Sequence, residues 1–148
     1  MIEESLDAKS RKKEAKLFIP LSEENISAGF PSPAEDYLQE EIDLNEYLIA
    51  NPASTFILRV NGNSMTKAGI QNDDLIIIDK SINPRPGNIV IASLDGNFTI
   101  KRLLEKDGEH YLKADQPNYP MIKISNQEQV EIWGVAIYSI HKIKRMYK

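Results

Sequence analysis

Ser64 and Lys101 are the side chains of this sequence whose types can do chemistry together, as a nucleophile and its base. Ser64 stands in Gly62-Asn63-Ser64-Met65, directly after the apolar run Thr55–Val60 and ahead of Thr66-Lys67-Ala68-Gly69-Ile70. A serine at the end of a strand, beside a glycine, can be held on a sharp turn with its hydroxyl and backbone N–H both exposed. Nucleophilic attack and oxyanion stabilisation need those two groups. The same tripeptide Gly-Asn-Ser also makes an ordinary turn. On its own it decides nothing.

Lys101 lies in Phe98-Thr99-Ile100-Lys101-Arg102-Leu103. Alternation along a strand puts Thr99, Lys101 and Leu103 on one face and Phe98, Ile100 and Arg102 on the other. One of the two faces must pack on the core, and each carries one cation. If the Lys101 face is the inner one, desolvation disfavours the ammonium and lowers its pKa from about 10.4. A neutral amine can then accept the proton of a serine hydroxyl. The other reading is a strand lysine whose stem lies on apolar surface while its amine reaches water. The residues alone leave both open.

Other chemistries have weaker support. His110 and His141 lie in no recognisable catalytic setting and read as surface histidines. Two histidines without a carboxylate cluster make a poor metal site. There is no cysteine, which excludes disulfides, thiolate nucleophiles and cysteine-ligated metals. The tail His141–Lys148 is basic, and reads as a solvated terminus beside a last strand rather than a DNA contact. Trp133, within Val130–Val135, is expected in the core.

The elements that must position Ser64 and Lys101 are short and β-rich. Thr55–Val60, Leu75–Asp79, Ile89–Leu94, Phe98–Leu104 and Ile132–Ile143 are rich in Ile, Val, Leu and Phe. Asp95-Gly96, between two of them, is a two-residue turn signal for a tight hairpin, which sets Lys101 opposite Val90. Residues 34–50 suggest one or two short helices, with Asp43 or Asn45 as cap. Ile26 to Pro33 holds small residues and two prolines, and reads as an extended, accessible segment. Residues 1–28 carry six acids and five bases, a mixed and solvated arm. The predicted architecture is a mostly β, compact, twisted antiparallel domain over residues 34–148, with a mobile arm over residues 1–33.

With 148 residues, 41% hydrophobic and 27% charged, the chain suits one domain plus an arm. A net charge of −4 lowers the prospect of nucleic acid as the main partner. No apolar window approaches a membrane span, and the start lacks a signal-peptide run. A cytoplasmic protein is expected, with no membrane partner.

Several motifs in register resemble one known family. Gly62-Asn63-Ser64-Met65 with Gly69-Ile70 and Asp74-Leu75-Ile76-Ile77-Ile78-Asp79 is similar to the nucleophile region of the LexA/UmuD family of self-cleaving serine peptidases, peptidase S24 type. Pro86–Ala92 and Asp95–Leu103 resemble that family's lysine segment. Gly29–Tyr37 and Ile42–Asn45 are similar to its UmuD-like members, so the resemblance spans about residues 26–143.

The resemblance implies a Ser-Lys dyad, with Ser64 the nucleophile, Lys101 the general base and backbone N–H groups of Ser64 and Met65 at the oxyanion. It places the scissile bond at Ala28-Gly29 and implies a RecA filament on single-stranded DNA as trigger. It implies a homodimeric product that joins a Y-family, UmuC-like polymerase subunit in SOS mutagenesis. No cofactor and no sequence-specific DNA binding are expected. Three departures stand out: Asn63 where an acid is common, Asp73 where glycine is usual, and a slightly long arm. Asp tolerates positive φ better than most residues, so the turn at Asp73 remains feasible. The rival readings are a LexA-like repressor, for which no helix-turn-helix precedes the core, and a non-catalytic dimerisation module.

Overall fold

Nine strands form two antiparallel sheets among the described residues of the computed structural model, which are 16–23, 25–30, 39–124 and 130–144. The chain divides into two compact units, Met1–Ala50 and Asn51–Lys148. Of the expected arm, residues 1–15, 24 and 31–33 lie outside the described residues, as does the junction expected between residues 33 and 34.

In the first unit β1 (Ile19–Ser22) pairs with β2 (Gln39–Ile42), with Ile19 opposite Ile42. Of the stretch 34–50, residues 39–50 are described, and they hold β2 and one short helix, within the one or two expected. The helix is α1 (Leu44–Leu48), and Asp43 caps it by accepting the Asn45 N–H at 3.0 Å. Upstream of that cap, pairing with β1 decides the conformation in place of helical propensity. Residues 25–30 have no regular structure and are exposed. Ile26 is 96% and Phe30 92% exposed, and the Gly29 N–H donates to Ser27 Oγ at 3.2 Å.

The second unit is a seven-stranded sheet. It is built from β3 (Thr55–Arg59), β4 (Leu75–Asp79), β5 (Ile89–Leu94), β6 (Asn97–Lys106), β7 (Glu109–Lys113), β8 (Ile122–Lys123) and β9 (Val130–Ile140). The order across it is β3-β4-β9-β5-β6-β7-β8, with antiparallel neighbours throughout. Asp95 and Gly96 take φ of 50° and 84°, the two positive values a twisted two-residue hairpin requires. Val90 then faces Lys101, as expected. Asp107 and Gly108 repeat the device at 52° and 78° between β6 and β7.

Both faces of β6 are packed, not one. Leu103 joins a buried cluster with Val90, Ala92, Leu112 and Val135. Ile100 packs on a second cluster that contains Val60, Met65, Ile70, Ile76, Ile78 and Ile91. Trp133 departs from expectation: it is 36% exposed, edge-on to Phe98 at 5.0 Å and under the Lys80 amine at 4.4 Å.

Candidate functional site

The loop between β3 and β4 carries Ser64 and is tied down at both ends. Val60 and Asp73–Asp74 close its base: Val60 N–H donates to Asp74 O and Asp73 N–H to Val60 O, each at 2.8 Å. Gly62, at φ 109°, donates its N–H to Asn72 Oδ1 at 2.7 Å. Asp73 does adopt positive φ, at 73°, so its side chain is accommodated where glycine was the expected residue. Met65 is buried in the core cluster and anchors the turn just past Ser64. A 3-10 turn at Thr66–Ala68 follows, closed by Gly69 at φ 83°.

This turn brings Ser64 to Lys101. The Lys101 Nζ lies 3.4 Å from Ser64 Oγ, 2.9 Å from Thr99 Oγ1 and 3.1 Å from the Ile100 carbonyl oxygen. Lys101 is half-buried, and desolvation moves its pKa below the ordinary lysine value. The 3.4 Å approach is longer than an ideal hydrogen bond. The backbone N–H groups of Ser64 and Met65 donate to no acceptor among the described residues.

Thr99 was not singled out by sequence reasoning, although its position two residues before Lys101 on the same strand face was legible. His141 also finds a place no local pattern suggested. Its Nδ1 is 2.6 Å from Asp74 Oδ1, with the His141 side chain 40% and the Asp74 side chain 1% exposed. Burial alone raises the Asp74 pKa, but the Gln71 N–H, His141 and Ser139 more than offset it and hold the carboxyl below its usual range. His141 thus pins the end of β9 to the base of the Ser64 loop. A cavity of about 750 Å³ lies between this loop, at Asn63 and Thr66, and residues 141–144. Ser64 itself is not among the residues that line it. His110 on β7 is exposed, as expected.

Ala28 and Gly29 are exposed, and belong to the first unit. Among the described residues no group of three or more His, Asp or Glu is placed to hold a metal ion, and no helix is long and apolar enough to cross a membrane.

Comparison with known proteins identifies the family. Residues 20–137 match the family described as Peptidase S24-like. The chain is 43% identical over 129 residues to Protein ImpA of Escherichia coli, covering 86% of each chain. It is 46% identical over 125 residues to Protein SamA of Salmonella typhimurium strain LT2, covering 84% of this chain and 86% of that one. With the LexA repressor of Glaesserella parasuis it shares 34% over 113 residues, 76% of this chain and 54% of the repressor. The chain belongs to the peptidase S24-like family, as its motifs predicted, and its mostly β antiparallel fold is the one expected.

Proposed function

We propose that this S24-like chain is a self-cleaving serine peptidase in which Ser64 attacks and Lys101 is the base. The observation that carries the proposal is the Lys101 amine, desolvated and 3.4 Å from Ser64 Oγ. Neutral Nζ takes the hydroxyl proton as Oγ bonds to the carbonyl carbon of Ala28. The negative oxygen that forms is met by the N–H groups of Ser64 and Met65. Collapse of the intermediate breaks the Ala28-Gly29 bond, and Lys101 delivers its proton to the departing Gly29 nitrogen. Water then attacks the Ser64 ester, giving its proton to Lys101, and Lys101 passes that proton to Ser64 Oγ as the ester bond breaks and the Ala28 carboxyl group is released. Exposed, irregular backbone at residues 25–30 suits an extended segment entering a cleft. Tethering to the catalyst supplies the effective concentration that a slow enzyme needs.

In this proposal residues 1–33 serve as the arm and 34–148 as the peptidase domain. A RecA filament on single-stranded DNA triggers cleavage. The product 29–148 dimerises and joins a Y-family, UmuC-like polymerase subunit for translesion synthesis in SOS mutagenesis, in the cytoplasm. Likeness to ImpA and SamA over 84–86% of this chain supports this role over that of a repressor.

The test is intact mass after incubation at about pH 10, where a lysine base is deprotonated. Ser64→Ala and Lys101→Ala chains run beside it. A fragment beginning at Gly29, absent from both variants, is the expected result. A chain left whole both at that pH and with activated RecA filament would overturn the proposal.

A further inference from the structure

Arg102 follows the proposed base directly, and alternation sends it to the other face of β6. There its Nε lies 3.0 and 2.9 Å from the two carboxylate oxygens of Asp115, and its Nη1 donates to the Gly87 carbonyl at 2.6 Å. Asp115 reaches the Ser64 turn through its backbone. Its N–H donates to Met65 Sδ at 3.2 Å, and its carbonyl accepts the Lys67 N–H at 3.1 Å. The next residue, Gln116, accepts from the Thr66 hydroxyl at 2.8 Å. Three consecutive residues after the nucleophile are thus held by two consecutive residues, one of which is clamped to the strand of the base.

We propose that Arg102 and Asp115 are positioning residues that fix the Ser64 turn on β6 and so set the Ser64–Lys101 separation. The inference rests on the Ser-Lys assignment above. Lys101 and Arg102 hold the two sides of one circuit: Lys101 meets Ser64 from one face, and Arg102 reaches Met65 to Lys67 through Asp115 from the other. A planar guanidinium suits this duty, because its fork spans both carboxylate oxygens and a carbonyl at once, which an ammonium cannot do. The pair is partly exposed, 31% and 19%, so its effect on overall stability is small. Its effect on reaction geometry is large, since a misplacement of about 1 Å costs roughly a hundredfold in rate.

The test uses Arg102→Lys, which keeps charge and loses the fork, and Asp115→Asn, which keeps shape and loses charge. Self-cleavage of the full chain is followed from pH 7 to 11. In parallel, amide hydrogen exchange is measured on the same substitutions in a Ser64→Ala background that cannot cleave. The expected result is cleavage slower by about 10- to 100-fold at every pH, with the pH of half-maximal rate unmoved because Lys101 stays desolvated. Exchange at the Lys67 amide quickens, while the β5 and β9 amides keep their protection. Wild-type rates and unchanged Lys67 exchange in both variants overturn the inference, as does slowing that tracks only the unfolded fraction. If wild type itself never cleaves, the Ser-Lys assignment falls, and the Lys67 exchange still decides whether the ion pair holds the turn.

Discussion

The Lys101 amine lies nearer to Thr99 Oγ1, at 2.9 Å, than to Ser64 Oγ, at 3.4 Å. Together with the Ile100 carbonyl at 3.1 Å, Thr99 gives the amine two acceptors on its own strand. A neutral lysine has two N–H hydrogens and one lone pair. Thr99 and Ile100 take the hydrogens, and the lone pair is left for the Ser64 hydroxyl. Protonated, the same amine donates to all three oxygens and has nothing with which to accept a proton.

Thr99→Val removes one of these acceptors and frees the amine to rotate. Self-cleavage is expected to slow about tenfold, the worth of one hydrogen bond to the reacting group. Thr99→Ser keeps the hydroxyl and restores most of the rate. Equal rates for the valine and wild-type chains, read by intact mass, would show that Thr99 does not orient the base.

Burial lowers the Lys101 pKa, so the neutral form appears at lower pH than for a free lysine, whose value is about 10.4. Cleavage without a trigger therefore climbs about tenfold per pH unit, then levels off with a midpoint below that value. A pH–rate profile checks this. A midpoint at or above the value of a solvated lysine would sink the claim that Lys101 is desolvated.

Asp74 and Asp79 are buried carboxylates in the second unit. Asp79 is held far below the usual range, first by Asn51 Nδ2 at 2.9 Å and then by Ser81 Oγ at 2.7 Å, with Ser54 Oγ also at 2.7 Å. An acid whose folded-state pKa is depressed stabilises the fold above its unfolded value, near about 3.9, and loses that contribution as pH falls through the folded value. Asp79→Asn is expected to destabilise by about 2 kcal/mol at pH 7, the worth of hydrogen bonds to a charged group. The gap to wild type narrows below about pH 4. Urea melts at both pH values check it; a gap that stays constant would mean the carboxylate's charge contributes nothing.

Gly134 on β9 leaves no room for a methyl group. A Cβ there would lie 2.6 Å from Ile78 Cγ2 and 3.2 Å from the Asp79 carbonyl oxygen. Backbone cannot yield as a flexible side-chain end does, so Gly134→Ala is expected to cost about 1–3 kcal/mol. A thermal melt unchanged from wild type would contradict this packing.

The part of the site that local patterns govern was legible in the sequence. Asp95-Gly96 declared the hairpin, and through it the pairing of Val90 with Lys101. The second Asp-Gly, at residues 107 and 108, carried the same signal for β7 and was passed over, because Glu109–Lys113 lacks a run of aliphatic residues. The helix expected within residues 34–50 is met at Leu44–Leu48, whereas Gln39–Ile42 is strand β2, since its pairing with β1 is a non-local contact that propensity cannot report. Asp74 and His141 are 67 positions apart, and nothing local in either segment marks them as partners. The last strand begins at Val130 and stops at Ile140, short of the expected Ile143, leaving His141 free to turn toward Asp74.

The two-residue turn at Asp95-Gly96 is also a ruler. Two cations stand side by side on β6, and only the lysine can give up its proton, because a guanidinium stays charged. Shifting the strand by one position would carry Lys101 to the opposite face and offer Arg102 in its place. Every side chain of the dyad would survive such a slip, yet the serine would face a group unable to accept anything. In the proposed Ser-Lys reading, the length of that small hairpin connection therefore decides which residue meets the serine, and one residue fewer there would abolish cleavage with Ser64 and Lys101 both unchanged.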